Sequence, residues 1–120
     1  MRESEVERVC DALAIAYGYR VVRLSQRRSS SVHVGLPDRR YQGPRGCFHF
    51  EIKAAGGQMS EPQFTFLLAE LTGGCIASVG GRLELVEVLD TLVKAPADAR
   101  AVCRKHMQYW ASKGFRRETA

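Results

Sequence analysis

The run His49-Phe50-Glu51-Ile52-Lys53 holds the residue types that could do chemistry. It reads as a β-strand, and side chains alternate across a strand. His49, Glu51 and Lys53 should therefore share one face, with Phe48, Phe50 and Ile52 directed into a core. A carboxylate and an ammonium two residues apart then project into the same space. The carboxylate can hold a hard divalent cation, and the ammonium can offset negative charge or orient an attacking water. Alone, E-x-K is a weak signal, because a cross-paired Glu and Lys on a solvated strand face has the same pattern.

Asp38 strengthens it. Gly35-Leu36-Pro37-Asp38 opens the preceding strand, and Gly43-Pro44-Arg45-Gly46 is turn chemistry that joins neighbouring strands. If those strands are adjacent, Asp38 approaches Glu51, and two facing carboxylates repel unless a cation lies between them. The competing reading is a plain turn in which Asp38 caps its own backbone.

The elements that must position these residues follow from periodicity and capping. Val6, Val9, Cys10, Leu13 and Tyr17 form the buried stripe of a helix from about Ser4 to Tyr17, with Ser4 and Glu7 as a capping box and Gly18 as the stop. Tyr19 to Leu24 is a strand, and Ser25 to Gly35, rich in Ser and Arg, a mobile loop. A short strand runs from Pro37–Asp38 to about Tyr41, and Phe48 to Lys53 is the clearest strand. After the Gly56-Gly57 break, Ser60 and Gln63 form a second capping box. The helix they open carries Phe64, Leu67, Leu68 and Leu71 and ends at Gly73-Gly74. Cys75 to Val79 is a strand, Leu83 to Val93 a helix, and after Pro96 a last helix runs to about Lys113. The order α-β-β-β-α-β with C-terminal helices predicts an α/β fold, a mixed sheet flanked by helices.

Composition bounds the rest. At 120 residues, 45% apolar and 26% charged, the chain has the size and balance of one globular domain. No apolar run approaches the roughly 20 residues that span a bilayer. The start, with Arg2, Glu3, Glu5 and Glu7, is unlike a signal peptide, so a cytoplasmic location is expected. Cys10, Cys47, Cys75 and Cys103 form no C-x-x-C pair, which argues against zinc and for buried thiols. The net charge of +5 is uneven: Arg20, Arg23, Arg27, Arg28, Arg39, Arg40 and Arg45 crowd a stretch whose only acid is Asp38. Lys113, Arg116 and Arg117 form a second basic group. Clustered cations suit a polyphosphate partner, though a solvated basic face has the same composition.

Taken together, Gly35-Leu36-Pro37-Asp38, Phe50-Glu51-Ile52-Lys53, Gly57, Ser60 and Gln63 resemble the VRR-NUC family of the PD-(D/E)XK nuclease superfamily, over roughly Glu3 to Val88. The resemblance implies a restriction-endonuclease-like core in which Asp38, Glu51 and the Ile52 carbonyl coordinate Mg²⁺ or Mn²⁺. It implies that Lys53 positions the nucleophilic water and that Gln63 orients Lys53 or touches a phosphate. It also calls for an acid on the first helix, for which Glu7 is the best match beside its capping role. Arg27, Arg28, Arg39, Arg40 and Arg45 are then expected to grip the DNA backbone. His49 departs from the family, which places an apolar residue there; it either contacts DNA or is an ordinary exposed histidine.

The function so implied is a metal-dependent DNA endonuclease selective for branched or junction DNA, including Holliday junctions, and acting as a homodimer. The single domain would span 1–120, with its core at about 3–88 and a helical extension at about 95–113. That extension, with Met107, Tyr109 and Trp110, lies beyond the resemblance and serves as core cover or dimer contact. The rival is a non-catalytic DNA- or RNA-binding module on a nuclease scaffold.

Overall fold

The computed structural model describes residues 1–24 and 35–117. The first helix, α1 (Glu3–Ala16), buries Val6, Cys10 and Ala14 at four-residue intervals along one face. It starts earlier than expected. Arg2 is the N-cap, and its backbone N–H donates to Glu5 Oε1 at 2.7 Å. Ser4 therefore lies inside the helix, the Ser4–Glu7 box does not form, and the Glu7 carboxylate is left to bond elsewhere.

Four strands follow the expected order: β1 (Arg20–Arg23), β2 (Arg39–Gly43), β3 (Gly46–Ile52) and β4 (Ile76–Gly80). They lie side by side in that sequence, β1–β2 and β2–β3 antiparallel, β3–β4 parallel. Pro44-Arg45 closes the β2–β3 hairpin between the paired Gly43 and Gly46. This fixes the register that sets Tyr41 opposite Phe48 and Arg39 opposite Phe50. A parallel neighbour needs a crossover, supplied by α2 (Glu61–Thr72). The chain ends in α3 (Arg82–Lys94), a 3₁₀ turn at Pro96–Asp98, and α4 (Ala99–Ser112), which packs along β4 at the end of the sheet.

The core joins Tyr41, Phe48, Phe50 and Ile52 of the sheet to Leu67 and Leu71 of α2, Leu85, Val88 and Leu89 of α3, and Met107 and Trp110 of α4. Two expectations need correction. Leu68 belongs to the apolar stripe of α2 by spacing, yet it is 39% exposed, while Leu67 and Leu71 are fully buried and Phe64 packs against the core. Of the four free thiols, Cys10 and Cys103 are buried but Cys47, near the start of β3, and Cys75, just before β4, are exposed. The loop read at Ser25–Gly35 lies outside the described residues apart from Gly35. Among the described residues, no helix is long and apolar enough to cross a membrane.

Candidate metal centre

Gly35 begins the construction of the site. Its φ is +91°, and a Cβ there would sit 2.6 Å from the Pro62 carbonyl oxygen. Only glycine lets this backbone cross the first turn of α2 and deliver Pro37-Asp38 to the sheet. Asp38 then stands one residue beyond the Arg39–Phe50 pair, across from Glu51. The two lock reciprocally. The Asp38 backbone N–H donates to Glu51 Oε1 at 3.1 Å, and the Ile52 N–H donates to Asp38 Oδ2 at 3.0 Å.

Helix α2 covers this end of β3. Its N-cap is the expected box: the Gln63 N–H donates to Ser60 Oγ at 3.2 Å, and the Ser60 N–H donates to Gln63 Oε1 at 2.9 Å. The box orients the Gln63 amide, whose Nε2 donates to Glu51 Oε2 at 2.9 Å. Gln63 thus caps its helix and holds Glu51, whereas sequence reasoning directed it to Lys53 or a phosphate. Lys53 Nζ lies 3.1 Å from the same Oε2. Gln63, Phe66 and Glu70 share one face of α2, and the last two receive His49. Its Nδ1 is 2.9 Å from Glu70 Oε1, and its ring meets Phe66 edge-on. His49 is half-buried and turned to α2, not an exposed side chain.

Glu51 is 1% and Lys53 4% exposed. Burial, followed by the charge of Asp38, pushes the Glu51 carboxyl up to about 8, with Lys53 pulling the other way. These residues fit a hard divalent ion. The side-chain donors are oxygen, and the repulsion that raises Glu51 is what a cation between the carboxylates would relieve. Among the described residues no cluster of three or more His, Cys, Asp or Glu could hold a metal. Two carboxylates would leave the remaining positions around such an ion to water and backbone oxygen.

Two expected residues sit elsewhere. Arg39 is 3% exposed, because strand alternation turns it with Tyr41 towards α1. Its Nε and Nη2 donate to Asp11 at 3.0 and 3.2 Å, and Nη2 also donates to Glu7 Oε1 at 2.9 Å. Burial opposes its charge, but the bonds to Asp11 and Glu7 outweigh that and raise its pKa. Arg39 cannot grip a DNA backbone from there and is a structural ion-pair residue. Glu7 is correspondingly committed to Arg39. Arg40 and Arg45 are exposed; Arg27 and Arg28 lie outside the described residues.

Sequence reasoning missed two acids. Asp11, buried on α1, takes Arg39 and the Tyr41 hydroxyl, the latter at 3.0 Å. Glu3, one turn before Glu7, is exposed, yet its pKa is raised first by surrounding protein, against Lys53, with Asp38 and Glu7 adding to the rise. Asp38 and Lys53 both act on its carboxyl. The i, i+4 spacing of Glu3 and Glu7 was the available signal.

No protein-family model and no curated protein matches the chain. A solved structure described as "VRR_NUC domain" does, with a TM-score of 0.57 and 23% sequence identity over 78% of this chain and 95% of that one. The chain has the fold of a VRR_NUC domain. This likeness of fold agrees with the motif resemblance. In this VRR_NUC frame the paired acids and Lys53 stand where β2 begins and β3 ends, at the mouth formed with α1 and α2.

Proposed function

We propose that this chain belongs to the VRR-NUC nucleases and hydrolyses phosphodiester bonds in DNA with Mg²⁺ or Mn²⁺. The convergence of Asp38, Glu51 and Lys53 at adjoining strand ends is the observation that carries this reading. Asp38, Glu51 and the Ile52 carbonyl would hold the cation, which when bound supplies positive charge against the phosphate and acidifies water. Lys53 holds its ammonium beside Glu51 and orients the water that attacks phosphorus. Gln63 fixes the Glu51 carboxylate. Glu3 contributes negative charge from α1, and Glu7 joins the site only by leaving Arg39. Arg40 and Arg45, with Arg27 and Arg28, contact the DNA backbone.

The preferred substrate is branched or junction DNA, cut by a homodimer, because one such domain carries one site and a junction needs two cuts. Sedimentation that finds only monomer, with and without DNA, removes the dimer. The activity is tested with branched, flapped and linear DNA in Mg²⁺ or Mn²⁺, beside EDTA and Lys53→Ala controls. Cation-dependent products lost in the variant support the nuclease.

One observation favours the rival, a binding module without turnover. Both Glu51 oxygens already accept hydrogen bonds from protein donors, so a cation must displace some of them. Gel shifts without cleavage in any divalent ion would support that module.

A further inference from the structure

Beside the candidate centre lies a pocket of about 450 Å³ that the proposed chemistry does not use. Lys53 forms part of its wall, so the pocket adjoins the residue that pairs with Glu51. Leu83 at the start of α3 and Tyr109 and Trp110 of α4 line it, and Arg82 and Lys113 add positive charge. Leu83 is 71% and Tyr109 56% exposed, an apolar and aromatic surface open to solvent although Tyr109 touches Trp110 edge-on. The Lys113 ammonium lies 4.0 Å from the centre of a Trp110 ring. The Trp110 indole N–H has no hydrogen-bond partner among the described residues and is itself buried rather than open to the pocket. Glu84, the acid in the wall, is occupied: its Oε1 accepts from the Gly81 N–H at 2.8 Å.

Aromatic and aliphatic walls flanked by the cations Arg82 and Lys113 are complementary to one ligand class, a nucleotide with a flat base and an anionic backbone. Continuity with Lys53 identifies which nucleotide. We propose that this pocket is a subsite for an unpaired nucleobase of the DNA strand whose backbone passes Lys53. This rests on the nuclease reading above and deepens it. A base within a duplex hides its faces by stacking, so a recess between α1, α3 and α4 admits it only once it is splayed out. Unstacking costs least at a nucleotide already unpaired. The pocket therefore favours junctions, flaps and single strands over plain duplex.

Trp110 is the sole tryptophan and reports on the pocket directly. Its fluorescence is followed in EDTA, without turnover, as a short single-stranded oligodeoxynucleotide is added to the full chain. The comparison ligands are the same strand carrying abasic sites and a fully paired duplex. The expected result is a fluorescence change with the intact strand and affinity weaker by roughly 5- to 150-fold for the abasic strand, the loss of one stacked base. Tyr109→Ala should weaken the intact strand by a similar factor. So should Leu83→Asp, which puts an acid in the first turn of α3, where a helix tolerates it. Equal affinity for intact and abasic strands, or for wild type and both variants, overturns the proposal. So does a fluorescence change that follows protein concentration alone, which would put a second copy of the chain in the pocket. Because no cation is present, the absence of cleavage in a separate assay would sink the nuclease reading and leave this outcome readable.

Discussion

Glu51→Gln should remove a pH dependence that the buried carboxyl imposes on stability. The Glu51 pKa is raised from 4.5 to about 8 in the folded protein. The folded state therefore binds this proton more tightly than the unfolded state between those values. Stability from the neutral form is intact below about pH 4.5 and is lost progressively as pH rises to about 8. At 1.36 kcal/mol per pH unit, the loss between pH 5 and pH 8 is about 3 kcal/mol, or on the order of 10 °C in Tm. Glutamine cannot ionise. It must, however, turn an NH₂ towards one of the donors that Glu51 accepts, Asp38 N–H, Lys53 or Gln63. At pH 5 the variant should be the less stable by roughly 1–3 kcal/mol. Urea denaturation of both proteins in EDTA at matched salt reads the difference, and other titrating groups cancel. The gap should close by about 3 kcal/mol on going to pH 8, where added Mg²⁺ should also raise the wild-type Tm more than at pH 6, because cation and proton compete for the carboxylate. A difference between the two proteins that does not change with pH would refute the reasoning.

Arg39→Ala leaves Asp11 buried without its cation and should destabilise by about 3–5 kcal/mol in denaturant unfolding. Gly35→Ala meets both the positive φ and the Pro62 carbonyl, so a loss of about 1–3 kcal/mol is expected, together with impaired cleavage from a displaced Asp38. Arg40→Ala and Arg45→Ala, both at exposed positions, should leave the melting temperature unchanged and each lower the salt dependence of DNA binding by about one counterion, read from affinity against salt concentration.

The parts legible in sequence are the ones that local physics sets. Turn chemistry at Pro44-Arg45 joins β2 to β3, and the resulting register carries Asp38 to Glu51. Strand alternation also separated Phe50 from Glu51 correctly, but not the burial of Glu51 and Lys53, since one strand does not reveal that α2 covers its second face. Arg39 was counted with the surface charge because its partners Asp11 and Glu7 are about thirty positions away. Its shared face with Tyr41 was the unused clue. The Ser4–Glu7 box failed because Glu5 serves Arg2 equally well two residues earlier, and helix starts are set by such near-equal choices. The pocket beside Lys53 exists only once α4 has docked, so no pattern within one segment announces it.

The most direct measurement is cleavage of branched DNA by wild type and Lys53→Met, which keeps the apolar stem and removes the ammonium, each in Mg²⁺ and in EDTA. Cleavage should require the cation and fall at least about 100-fold in the variant, with DNA affinity nearly unchanged. Equal cleavage by both proteins, or cleavage that survives EDTA, would contradict a centre built on Asp38, Glu51 and Lys53.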